Sequence, residues 1–72
     1  MVAGDANDSV TAGNGTDTIN AEGGNDTVDA GDGSDSVLGG AGNDSITAGS
    51  GDDFVNAEDG NDTVSGNDGT DT

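Results

Sequence analysis

Eight aspartates recur every nine residues without a miss: Asp8, Asp17, Asp26, Asp35, Asp44, Asp53, Asp62 and Asp71. They are half of the sixteen acidic side chains, and the chain has no Lys, Arg or His to balance them. Carboxylates held in phase can exchange protons with a substrate or can hold a hard cation. Proton exchange needs partners. The chain has no His, Cys, Lys or Tyr, so only carboxylates remain for acid–base work and only hydroxyls for attack. Asp52 and Asp53 are neighbours in the chain and so point apart, and no aromatic platform for a sugar stands beside them. No enzyme is expected. Cation binding needs only the oxygens.

Composition narrows the partners. A net charge of −16 with no cationic side chain makes nucleic acid and anionic membrane surfaces implausible partners. No apolar run approaches membrane-spanning length, and the first residues lack the basic and apolar regions of a signal peptide. The absence of Cys rules out a disulfide staple or a thiolate site. A core of ordinary kind is also missing, because eight of the hydrophobic residues are Ala. Burying seven of the eight Val and Ile side chains is too little to offset the ordering of the whole chain, and sixteen carboxylates repel one another. The metal-free chain is therefore expected to be disordered.

The aspartates are one position of a repeat that covers residues 1–72 as a single domain. Two residues after each of the first seven comes Val10, Ile19, Val28, Val37, Ile46, Val55 or Val64. Two residues before each comes Ala6, Gly15, Gly24, Gly33, Gly42, Gly51, Gly60 or Gly69. Seven complete nonads run over residues 3–65, and residues 66–72 begin an eighth. No insertion breaks the phase, so no linker is expected. The first six positions of each nonad are rich in Gly, Asn and Asp, which supply tight and left-handed turns. The last three are mainly polar–β-branched–polar, a minimal strand with one side chain in and two out.

A second period doubles the unit. The fifth position is Asn in the odd nonads (Asn7, Asn25, Asn43 and Asn61) and Thr16, Ser34, Asp52 or Thr70 in the even ones. An 18-residue unit fits a flattened coil in which each nonad is half a turn. Residues eighteen apart then stack on parallel strands ~4.8 Å apart, in about four turns. The Val and Ile side chains fill a thin interior between two sheets. Asp8, Asp26, Asp44 and Asp62 form a column on one edge, and Asp17, Asp35, Asp53 and Asp71 form its counterpart. Like charges so close repel, and a divalent cation between them reverses the sign. Calcium accepts six to eight oxygens in loose geometry, whereas magnesium demands a tighter octahedron.

The nonads resemble the Gly-Gly-x-Gly-x-Asp-x-apolar-x repeat of the RTX (repeats-in-toxin) family. The clearest matches are Gly39–Thr47 and Ala48–Asn56. The resemblance implies an all-β fold, a right-handed parallel β-roll that folds only when calcium is bound. It implies an ion between successive coils, held by the paired Asp carboxylates and by turn carbonyls, those of Gly15, Gly24, Gly33, Gly42, Gly51 and Gly60. Three Asp pairs on each edge make about six calcium ions. Glu22, Glu58 and Asn67 stand where the family pattern has Gly, so their turns are the irregular ones.

The function expected is a non-enzymatic, calcium-binding structural module that acts outside the cell, where calcium suits weak sites. Two alternatives stand beside it. One is a head-to-tail homo-oligomer or filament, because open solenoid ends expose unpaired strand edges and interior side chains. Met1 and Val2 occupy positions eight and nine of a preceding nonad and would complete a seam. The other is ice binding by the outward Ser and Thr of the odd strands, an array that Asp29 interrupts. Phe54 falls on an outward strand position.

Overall fold

The computed structural model describes residues 2–66. Seven three-residue strands follow one another: β1 (Ser9–Thr11), β2 (Thr18–Asn20), β3 (Thr27–Asp29), β4 (Ser36–Leu38), β5 (Ser45–Thr47), β6 (Phe54–Asn56) and β7 (Thr63–Ser65). Each occupies the last three positions of its nonad, where the β-branched residue sits between two mainly polar ones. Successive strands alternate between two sheets, ordered β1-β3-β5-β7 and β2-β4-β6. Every pairing is parallel and joins residues eighteen apart, such as Val10 with Val28 and Ile19 with Val37. Val2 adds an isolated parallel bridge to Asn20 in the same register.

The architecture is a parallel β-roll with two nonads per coil. Seven strands at two per coil make three and a half coils. The eighth nonad, with Asp71 and Asn67, and the inward slot assigned to Met1 lie outside the described residues. The Cα envelope measures 28 × 20 × 12 Å, flat in one direction as two thin sheets require. Among the described residues, no helix is long and apolar enough to cross a membrane.

The interior is a single file from each sheet. Val10, Ile19, Val28, Val37 and Ile46 are buried, and Val55 is half-buried. Val64, in the last described strand, is 46% exposed, against 1% for Val28 and Ile46 in the same sheet. The core also has members that the strand pattern did not mark. Ala21, Ala30 and Ala48 are 0% exposed and occupy the first position of their nonads. The chain turns inward there just after leaving the strand, and a methyl group fills the space. Each such residue also donates its N–H to the carbonyl of a strand-end residue in the next coil, as Ala21 does to Leu38 at 2.9 Å. Position one is thus part of the core as well as of the turn.

Candidate metal centre

The two edges of the roll carry its chemistry. Loops of odd nonads stack on one edge and loops of even nonads on the other. Stacking requires the chains to come very close, and the glycines show why. Gly42 has φ +108, and a Cβ there would collide with the carbonyl oxygen of Gly24 in the preceding coil. Gly33, Gly51 and Gly60 stand in the same relation to the carbonyls of Gly15, Gly33 and Gly42. A left-handed backbone without a side chain is what allows that approach.

At the second position Glu22 and Glu58 also hold positive φ, 68° and 65°. The sequence marked these turns as irregular, and they adopt the left-handed conformation without Gly. Glu58 N–H is held by Asn56 Oδ1 at 3.2 Å, which ties that turn to the end of β6.

The predicted Asp column is assembled. Asp8 N–H donates to Asp26 Oδ1 at 2.8 Å, Asp26 N–H to Asp44 Oδ1 at 2.9 Å, and Asp44 N–H to Asp62 Oδ1 at 2.7 Å. On the opposite edge, Asp17 N–H donates to Asp35 Oδ1 and Asp35 N–H to Asp53 Oδ1, both at 2.9 Å. One oxygen of Asp26, Asp35, Asp44, Asp53 and Asp62 is therefore spent on the backbone of the coil before it. The residue after each Asp closes the grip, since Thr27 N–H donates to the Asp8 carbonyl at 2.8 Å.

The other oxygen has a different fate. Oδ2 of Asp8, Asp17, Asp26, Asp35 and Asp44 is buried and accepts no hydrogen bond. Asp26, Asp35, Asp44 and Asp53 are themselves only 2–3% exposed. A buried carboxylate without a counterion is among the costliest arrangements in a protein. Asp44 registers that cost. Its carboxyl is raised above the ordinary 3.8, first by burial and then by the charges of Asp62 and Asp26, against the lowering effect of its backbone hydrogen bond. The chain contains no cationic side chain that could neutralise these groups.

The donor set defines the cation that fits. It is all oxygen, with no thiolate or imidazole, which suits a hard ion. Among the described residues no three acidic side chains converge, so carboxylates alone cannot complete a shell. Turn carbonyls are at hand. Those of Gly15, Gly24, Gly33 and Gly42 abut the next coil on the same edges as the aspartates. The carbonyls of Gly13, Glu22 and Gly31, at position two, lie the same way and were not singled out from the sequence. Two carboxylates and several carbonyls suit calcium, which tolerates irregular shells of six to eight oxygens.

The Asn positions explain the 18-residue period. Asn25 N–H donates to Asn7 Oδ1 at 2.7 Å, Asn43 N–H to Asn25 Oδ1 at 2.8 Å, and Asn61 N–H to Asn43 Oδ1 at 2.9 Å. This ladder of amides runs along the odd edge beside the carboxylates. The Asn side chains reach forward to the next coil, whereas the Asp side chains reach back. Of the other acids among the described residues, Asp5, Asp29, Asp32, Asp52, Glu58 and Asp59 are exposed and Glu22 is half-buried; Phe54 is exposed on the outer face of β6.

A family model describing the RTX calcium-binding nonapeptide repeat in four copies matches residues 2–37 and again residues 38–72. Neither curated proteins nor solved structures gave a match.

Proposed function

The chain belongs to the RTX calcium-binding nonapeptide repeat family, and we propose that it is a non-enzymatic structural module whose roll forms when calcium fills the two edges. One observation carries this reading: buried, unpartnered Asp Oδ2 atoms in a chain without a single cationic side chain. Calcium supplies the positive charge that the sequence omits, so its binding free energy becomes folding free energy. The proposed ligands are the carboxylates of Asp8, Asp17, Asp26, Asp35, Asp44, Asp53, Asp62 and Asp71, with turn carbonyls completing each shell. About six ions per chain follow from three Asp pairs on each edge, and they would bring −16 to near −4. Extracellular calcium, which suits sites of ~10⁻⁴–10⁻³ M affinity, makes the outside of the cell the proposed place of action. Circular dichroism during a calcium titration tests the proposal. Strand signal should appear with calcium and vanish in chelator. A chain equally ordered in both would sink it.

A second reading is head-to-tail stacking of copies. Its support is the repeated eighteen-residue register, in which every coil pairs with the next through the same parallel contacts. Light scattering with and without calcium tests it. A monodisperse species of 6.8 kDa in millimolar calcium would refute it.

A further inference from the structure

Asn14-Gly15 is the only Asn-Gly pair in the sequence. Such a pair is chemically unstable, because Gly places no side chain over its own backbone nitrogen. That nitrogen attacks Cγ of the preceding Asn. The Cγ–amide bond breaks, ammonia leaves, and a five-membered succinimide closes. Water then opens the ring at either carbonyl and yields Asp or isoaspartate.

In the roll the two reacting groups are treated differently. Asn14 is exposed, so its amide is open to water. The nucleophile is held. Gly15 N–H donates to the Asp32 carbonyl in the next coil at 3.1 Å. Gly15 also sits at φ +109, and its carbonyl abuts the Cα of Gly33, so the loop cannot swing its nitrogen toward Asn14 without parting the coils. Asp32-Gly33 repeats the arrangement one coil on, with Gly33 N–H donating to the Ser50 carbonyl at 2.9 Å. A carboxylate is the poorer electrophile, which leaves Asn14 as the reactive position.

We propose that Asn14 is a covalent modification site guarded by coil stacking: it converts to Asp or isoaspartate when the first two coils part, and is protected while they are stacked. That calcium is what keeps them stacked rests on the function proposed above. The product bears on the site itself. Isoaspartate routes the backbone through the β-carbon and adds an atom to the nonad, which breaks the nine-residue phase. The hydrogen bond from Asp17 N–H to Asp35 Oδ1 lies three residues downstream. A converted chain therefore recloses its first even-edge pair poorly, and a period without calcium leaves a lasting mark.

The test incubates the full chain at slightly alkaline pH in millimolar calcium, in chelator and in urea. A short peptide spanning Asn14 supplies the unprotected rate. Mass spectrometry reads the gain that accompanies amide-to-acid conversion, an isoaspartate assay identifies the product, and circular dichroism monitors folding in each arm. The expected result is conversion near the peptide rate in chelator and urea, and about tenfold slower or more in calcium, as the opening equilibrium dictates. Conversion at the peptide rate in calcium overturns the proposal. If dichroism shows calcium-driven folding in that same sample, the function proposed above survives. Absence of any calcium-induced strand signal overturns that function instead, and protection relative to the peptide still decides the fate of Asn14. Substitution Asn14→Gln should abolish the mass gain at this position without moving the calcium midpoint.

Discussion

Asp26→Asn should act in opposite directions with and without calcium. The substitution keeps an Oδ1 that can accept the Asp8 N–H, now at 2.8 Å, and replaces the buried Oδ2 with an amide nitrogen. Asp26 is 2% exposed and lies between Asp8 and Asp44 in the odd column. At the strand spacing of ~4.8 Å and an effective dielectric of ~20, each neighbouring charge repels it by roughly 3.5 kcal/mol. Salt and charge delocalisation reduce the sum over two neighbours to a few kcal/mol. Losing that repulsion should make the metal-free chain more structured. With calcium present the balance reverses, since removing one partner of a buried ion pair costs ~3–5 kcal/mol. The calcium midpoint should move up by tenfold or more. Asp26→Ala provides the comparison, because it also removes the acceptor and should lose a further ~1–3 kcal/mol. Circular dichroism in chelator and in a calcium series measures both arms. An unchanged calcium midpoint for Asp26→Asn, or a metal-free variant less ordered than the parent, would refute the reasoning.

Three further outcomes are expected. Gly42→Ala and Gly15→Ala differ in surroundings more than in φ, +108° and +109°, so the first should abolish the fold through collision with the Gly24 carbonyl. The second meets nothing and should cost only the ~1–3 kcal/mol of backbone strain, as read from calcium midpoints. Ile46→Ala, at a site 1% exposed, should lose ~2–5 kcal/mol in thermal melts with calcium. Val64→Ala, at a site 46% exposed, should lose well under half of that. For pH, the raised folded value of Asp44 means the roll binds protons more tightly than the unfolded chain does. In chelator, Asp44 therefore favours the roll progressively as pH falls from above its folded value toward 3.8, and disfavours it as pH rises through that window. In calcium the trend is opposite, because protons compete for the ligand. Dichroism against pH in the two conditions checks the pair of signs.

Much of this fold was legible in the order of the residues. The nonad phase located each of the seven described strands and paired residues eighteen apart, because one inward β-branched residue per nonad leaves a strand no other way to face its interior. It also placed the aspartates in two columns. Three things were hidden. Ala21, Ala30 and Ala48 read as turn residues among glycines, and their burial follows from where the backbone bends. The only signal was that position one is always Ala or Gly and never polar. The division of labour within carboxylates such as those of Asp26, Asp35 and Asp44, Oδ1 to backbone and Oδ2 buried, depends on rotamers that spacing does not encode. The alternation of Asn7, Asn25, Asn43 and Asn61 marked an 18-residue unit, and its cause appears only once the amides are seen reaching the next coil.

The backward reach of the aspartates gives assembly an order. The carboxylate that secures Asp8 comes from Asp26, and the one that secures Asp26 comes from Asp44. The N–H of Ala12 likewise waits for the carbonyl of Asp29. Each coil is thus finished by its successor. Where the roll grows from its N-terminal end, the newest coil lacks its clasp while the coils before it are already closed. Growth of that kind behaves like a ratchet: each newly arrived length locks the one before it and opposes backsliding.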